Sequence, residues 1–274
     1  MNDKRKIIYN CNDYLFSKNK EESFYWAGFF AADGNVSKNG DVNLGVAIKD
    51  ENHLYKFKLS AESSAPIKTV LKKDRIIDGI WTPETLFSLI RFRSKQMTND
   101  LKRFNIVPNK TKTYELPEWL LNHELLPHFI RGYFDGDGWF AKRAYKKDRI
   151  RISWGICGNF SVLQKIKNEL ITQCNLRGNP KIIRQKNIFR MEFSKQHDVL
   201  NIVNWIYGES TLFLDRKYEI SKIVSKCDQE TIILNIKKDD LIEAHNRLKS
   251  YALMAKEFNC SKSSISNYMK KYKD

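Results

Sequence analysis

Residues 24–36 read FYWAGFFAADGNV and residues 128–140 read HFIRGYFDGDGWF. Aligned on their closing glycines, Gly28 falls on Gly132, Ala32 on Gly136, Asp33 on Asp137 and Gly34 on Gly138, each 104 residues after its counterpart. That interval is the size of a small domain, so the chain reads as a duplication. The segments after each copy agree with this. VNLGVAI places Val42, Leu44, Val46 and Ile48 on one side of a strand. A helical stretch then runs from Asp50 to about Ser63, and PIKTVLKK and FSLIRFRSK read as two further strands. After the second copy come the strand RIRISWGI, a helix from Phe160 to about Gln173, and the strands PKIIRQ and NIFRMEF. The fold class is therefore α+β, two pseudo-symmetric αββαββα halves with mainly antiparallel sheets. The halves are expected over residues 1–115 and 116–226, joined through NIVPNKTKTYELPEWL, where Pro108 and Pro117 interrupt any helix.

Each quoted stretch is an apolar helix that runs into Asp-Gly, with Gly34 and Gly138 expected in the left-handed conformation just past the helix end. One such helix alone would be an ordinary core element with a glycine stop. Two copies add stripes of small residues at four-residue spacing, Gly28 with Ala32 and Gly132 with Gly136. Helix axes pack ~8–10 Å apart according to side-chain size, and small residues bring them to the near end. With the stripes facing each other, the helices end side by side and Asp33 meets Asp137. Two carboxylates that close repel, so one takes up a proton or a cation sits between them. Carboxylates and a phosphodiester both select hard divalent ions such as Mg²⁺. Such ions activate water and stabilise the leaving oxygen of an in-line displacement. The formal charge of +16, from 48 Lys+Arg against 32 Asp+Glu, points to a nucleic-acid partner. Chemistry and charge agree on a nuclease. An EF-hand reading of DGDG at 135–138 fails, because Trp139 occupies the fifth loop position.

WAGFFAADG (26–34) and IRGYFDGDG (130–138) resemble the two LAGLIDADG motifs of monomeric homing endonucleases, over roughly residues 20–226. The resemblance implies a metal-dependent, site-specific DNA endonuclease that cuts a long site across the minor groove and leaves short 3′ overhangs. It assigns the metals to Asp33 and Asp137, assisted by the carbonyls of Ala32 and Gly136. The cofactor is expected to be Mg²⁺ or another divalent cation such as Mn²⁺, with Ca²⁺ as a non-cleaving substitute. It also places a basic residue of each half by the scissile phosphates, Lys110 in VPNKT and Lys217 in FLDRKY, 77 and 80 residues after their acids. The first motif has Ala31 where an acid is common, whereas Asp135 retains it. The second-strand polar position carries Ile48 or Lys49 in one half and Cys157 in the other, and takes no assignment.

Strand alternation supplies candidate DNA contacts. Arg91, Arg93 and, one step on, Lys95 face away from Ile90 and Phe92; Arg149 and Arg151 face away from Ile150, Ile152 and Trp154; Arg190 faces away from Phe189, Met191 and Phe193. Arg184, on PKIIRQ, joins this set. Arginine reads guanine bidentately and also pairs with phosphate. Residues 227–274 are expected to form a connector and a small all-α helix-turn-helix module, with Ala255, Asn259, Ile265 and Tyr268 at the framework spacing and Ser261 as N-cap. Lys262, Ser263, Ser264 and Asn267 would then meet the duplex.

Five scattered cysteines, with no C-x-x-C pair, and five histidines without metal-finger spacing argue against a disulfide framework and a structural zinc site. No apolar run reaches the ~18 residues of a membrane span, and MNDKRK leads into no signal-peptide core. The expectation is a monomer that binds double-stranded DNA, with no membrane and no small-molecule cofactor. Its place would be the cytoplasm of a prokaryotic or phage-infected cell, or an organellar matrix. Two alternatives share the fold: a non-cleaving DNA-binding regulator, disfavoured because both acids are present, and an intron RNA maturase, which charge does not separate. Intein splicing is disfavoured, since residue 1 is neither Cys nor Ser.

Overall fold

Nine consecutive residues, Ser23 to Ala31, are buried on every side. A helix apolar all round has no solvent face to keep and becomes the core itself. In the computed structural model, which describes residues 9–77, 80–145, 149–227, 238–258 and 262–271, this helix is α1 (Glu21–Ala32). It is followed by β1 (Asn35–Val36), β2 (Asp41–Ala47), α2 (Glu51–Ser60), β3 (Ile67–Lys72), β4 (Arg75–Ile77), β5 (Ile80–Thr82), β6 (Thr85–Arg93) and α3 (Lys95–Asp100). The second half is α4 (Leu126–Asp137), β7 (Gly138–Tyr145), β8 (Arg149–Gly158), α5 (Phe160–Gln173), β9 (Ile183–Gln185), β10 (Ile188–Phe193), α6 (Gln196–Tyr207) and α7 (Asp215–Cys227). By contacts the chain divides into two units, Met1–Val224 and Ser225–Asp274.

The two halves meet along α1 and α4. A methyl group added at Gly28 would stand 2.0 Å from the Phe129 carbonyl oxygen, and one at Gly132 would stand 1.9 Å from that of Tyr25. The helices therefore touch backbone to backbone, and only glycine fits at the crossing. At their far ends a methyl on Gly136 would lie 2.5 Å from Ala32 Cβ, so α1 and α4 finish together.

Each half carries one antiparallel four-stranded sheet, in the order β1-β2-β6-β3 and β7-β8-β10-β9. Their inner faces bury Val42, Leu44, Val46, Ile90 and Phe92 in one half and Ile152, Trp154, Ile156, Met191 and Phe193 in the other. Ile48 departs from the expected strand: it enters a 3₁₀ turn and its side chain is exposed. Gly34 and Gly138 also differ from expectation. Neither has positive φ, and Gly138 is extended. Glycine is needed there because a Cβ would strike the ring of Phe30 at 2.2 Å or of Phe134 at 2.1 Å, where the chain doubles back over its own helix.

The repeat is unequal in its hairpins. β7 and β8 pair over eight residues and β1 and β2 over two. Conversely, β3 and β6 are prolonged by the small β4-β5 hairpin, whereas β9 pairs over three residues with β10.

The second unit holds α8 (Lys238–Leu248), α9 (Tyr251–Glu257) and α10 (Lys262–Lys271). They close over Leu241, Ala244, Met254, Ala255, Ile265 and Met269. Asn259 and Ser261, the side chains of Ser263, Ser264, Asn267 and Tyr268, and the connector 228–237 lie outside the described residues. Among the described residues no helix is long and apolar enough to cross a membrane.

Candidate active site and nucleic-acid interface

Asp33 caps α1 and Asp137 is the last residue of α4. Because the helices end together, the carboxylates share one region: Asp33 Oδ2 would lie 3.4 Å from a methyl placed on Gly136. Burial, then the charge of Asp33, pushes the Asp137 carboxyl up to about 7. Burial also raises Asp33, against the pull of Lys217, Lys110, Lys72 and Arg216. Net negative charge is thus unwelcome at this spot until a cation joins it.

The two lysines arrive from different elements. Lys110 begins a 3₁₀ turn after Asn109, whose φ of 63° is left-handed. Its ammonium donates to the Gly34 carbonyl at 2.9 Å, and it is 6% exposed. Lys217 lies in the first turn of α7 and is 1% exposed. It donates to the carbonyls of Phe134 (2.5 Å) and Asp135 (2.9 Å). Burial lowers both ammonium groups, Lys217 to about 8; Asp137 and Asp33 hold up Lys110, and Asp135, then Asp33 and Asp137, hold up Lys217. The structure therefore brings together Asp33, Asp137, Lys110, Lys217 and the backbone of Ala32 and Gly136. The Cys157 thiol donates to the Asp137 carbonyl at 3.1 Å. Among the described residues no group of three or more His, Cys, Asp or Glu side chains is placed to hold a metal. Two carboxylates suit Mg²⁺, which usually keeps several waters and takes one or two carboxylates plus substrate phosphate.

Residues to which sequence reasoning gives no role tie α4 to the elements around it. Asp135 is buried at 1% exposure and accepts from Tyr25 Oη (2.8 Å), Tyr207 Oη (2.7 Å) and the Leu214 amide (2.8 Å). Arg131, equally buried, donates to the carbonyls of Leu212 (2.8 Å) and Ile206 (2.6 Å) and to Glu21 Oε1 (2.6 Å). The charges of Lys72 and Arg216 reach Asp33. These partners are distant in sequence, and periodicity carries no sign of them.

On the sheets, the expected outward faces are mostly realised. Arg91 and Arg93 are exposed opposite the buried Ile90 and Phe92, and both pair with Asp41, at 3.0 and 3.1 Å. Burial works against the Asp41 carboxylate, but hydrogen bonds from Ser37, Arg91 and Arg93 hold it below its usual range. Arg151 and Arg190 are exposed on the second sheet; the Arg149 backbone lies on β8, and its side chain is outside the described set. Two placements correct the sequence reading. Arg184 pairs with Phe189, so it shares the inward-facing side of the ladder and lies opposite to Arg190; a one-residue register shift inverts faces, and alternation in a short edge strand does not fix it. Lys95 is on no strand: Ser94 caps α3, accepting from the Met97 amide, and Lys95 is that helix's first residue. Arg143 is an outward arginine missed from sequence, paired across the ladder with Arg151 and bonded to Glu192 at 2.8 Å.

No family model matches the chain. Among curated proteins, the replication factor C small subunit of Methanocaldococcus jannaschii is 27% identical over 143 residues. That stretch is 51% of this chain and 7% of the relative's length. Solved structures agree over most of the chain. Meganuclease I-SmaMI bound to uncleaveable DNA gives a TM-score of 0.52 at 14% identity, covering 84% of this chain and 95% of that one. The LAGLIDADG meganuclease I-CpaMI bound to uncleaved DNA gives 0.51 at 15%, over 84% and 98%. The homing endonuclease I-WcaI bound to its DNA recognition sequence gives 0.51 at 15%, over 76% and 90%. At these identities the agreement is one of fold: this chain has the fold of the LAGLIDADG meganucleases solved with DNA.

Proposed function

We propose that this chain is a site-specific DNA endonuclease that makes a metal-dependent double-strand break in a long duplex site, leaving short 3′ overhangs. The observation that carries the reading is the meeting of Asp33 and Asp137 at the joined ends of α1 and α4, with one buried lysine from each half beside them. Asp33 and Asp137, with the carbonyls of Ala32 and Gly136, would hold Mg²⁺ or Mn²⁺. A bound ion supplies activation of the attacking water and stabilisation of the leaving oxygen. Lys110 and Lys217 hold positive charge where phosphate charge grows, and their burial keeps competing water away. The outward arginines Arg91, Arg93, Arg143, Arg151 and Arg190 would lie along the grooves on either side, fixing register and reading bases. The likeness in fold to proteins described as bound to DNA supports this partner. In this reading α8, α9 and α10 act as a helix-turn-helix that adds contacts through the start of α10, at Lys262, Ser263, Ser264 and Asn267.

The test is selection of cleaved duplexes from a randomised library in Mg²⁺, with mapping of both ends. Wild-type protein should return one long consensus with 3′ overhangs. Asp33→Asn and Asp137→Asn should bind that duplex in Ca²⁺ and leave it uncut in Mg²⁺. Linearisation by either variant would refute the assignment.

A further inference from the structure

Asp33 and Asp137 are matched in the two repeats, but the residues two positions earlier are not: Ala31 stands in the first and Asp135 in the second. The lysines differ in step. Lys110 reaches the carbonyl of Gly34, one residue past its acid, whereas Lys217 reaches those of Phe134 and Asp135, three and two residues before. Lys217 is carried by the first turn of α7, which opens on the Leu214 carbonyl; the amides of Lys217 and Tyr218 both donate to it at 3.0 Å. The Leu214 amide in turn donates to the Asp135 carboxylate, whose remaining acceptor capacity goes to Tyr25 from α1 and Tyr207 from α6. Asp135 therefore grips the start of α7 with its side chain and the Lys217 ammonium with its own carbonyl. Ala31 has no side-chain acceptor with which to do the same for Lys110.

We propose that Asp135 is a positioning residue for Lys217, and that this one-sided anchor makes the two half-reactions unequal. The inference rests on the endonuclease reading for its kinetic consequence but not for its structural one. Removing the carboxylate frees Leu214, lets the first turn of α7 shift, and withdraws Lys217 from its phosphate. Lys110, held by the other half, stays in place. One strand should then be cut slowly and the other at close to the normal rate.

Two measurements on the full chain test this. The first needs no substrate: reductive methylation of the native protein, read by peptide mass mapping, with Lys110 as internal control. In Asp135→Asn, and more mildly in Tyr207→Phe, Lys217 should be modified at least tenfold faster than in wild type while Lys110 keeps its rate. Equal acceleration at both lysines means loosening of the whole fold and overturns the proposal, as does unchanged protection of Lys217 in both variants. The second uses the selected duplex, labelled separately on each strand. Asp135→Asn should slow one strand at least tenfold relative to the other, so that nicked product accumulates. That strand should be the one slowed by Lys217→Met, and the double variant should be no slower than Lys217→Met alone. Equal slowing of both strands, or additive effects in the double variant, would overturn it. A wild-type chain that cuts no duplex defeats the endonuclease reading, while the methylation result still decides whether Asp135 positions Lys217.

Discussion

Replacing Asp137 with asparagine in the absence of metal isolates the electrostatic cost of bringing the two acids together. The carboxyl is held at about 7 instead of 3.8, by burial and by Asp33. A group raised in the folded state contributes fully below its unfolded pKa and loses that contribution as pH rises through the folded value. At 1.36 kcal/mol per pKa unit, ionised Asp137 costs the fold at most about 4 kcal/mol above pH 7, more than half of it developing between pH 5 and 8. Asparagine carries no charge and escapes this cost, although Lys110 and Lys217 then lose one partner charge, which returns part of the gain. With roughly half the ceiling surviving, and about 2–4 °C per kcal/mol for a unit of this size, Tm should rise by about 4–8 °C at pH 8 in EDTA. The advantage should shrink as pH is lowered toward 5. Added Mg²⁺ should stabilise the wild type by about 2.7 kcal/mol at a hundred times Kd and the variant far less, closing the gap. Thermal melts of both proteins at pH 5 and pH 8, with EDTA and with Mg²⁺, supply the comparison. A variant no more stable than wild type at pH 8 in EDTA, or a gap independent of pH, would refute the reasoning.

The geometry sets three further outcomes. Alanine at Arg91, Arg93, Arg143, Arg151 or Arg190 should relax base preference by about 1–3 kcal/mol wherever the contact is bidentate, whereas Arg184→Ala, on the opposite side of its ladder, should leave the selected consensus unaltered; selection profiles of each variant decide this. Gly28→Ala or Gly132→Ala drives a methyl to within 2.0 Å of a facing carbonyl and should lower stability by about 3 kcal/mol or more; a urea midpoint equal to that of wild type would show that the helices can part. Ending the chain after Lys226 should keep cleavage but weaken binding by ~10²-fold and flatten its salt dependence, because a tethered module and its phosphate contacts are lost; identical footprints and slopes would make the second unit structural only.

Much of this arrangement is legible in the sequence because it is either periodic or repeated. The αββαββα order and the facing glycines come from comparing one half with the other, whereas the two lysines come from the resemblance to the LAGLIDADG motifs, with matched intervals in support. Hidden from such a comparison is whatever the halves do not share or whatever joins distant segments. The Asp135 carboxylate draws donors from residues 25, 207 and 214, and Arg131 ties α4 to Glu21 of α1. No window of sequence contains both ends of these bonds. Arg143 is obscured because AKRAY lacks clean alternation; its strand character comes from pairing with β8. The β4-β5 hairpin does leave a signal, the Asp78-Gly79 dipeptide between two apolar runs. The glycines after the acids stand out in sequence as helix stops, which suggests a special conformation, whereas close contact with Phe30 and Phe134 is the cause.

The unequal hairpins bear on how such a chain can change. When two identical subunits read DNA, their symmetry confines them to near-palindromes, and any lengthening of one arm lengthens the other. Here the long arm is the first hairpin in one half and the second hairpin in the other. A gene that encodes both halves in one frame lets each drift alone, provided the glycine crossing between α1 and α4 is kept. On the endonuclease reading, the target would thereby be released from mirror symmetry, and each side of the break could be respecified by editing one arm without disturbing the other.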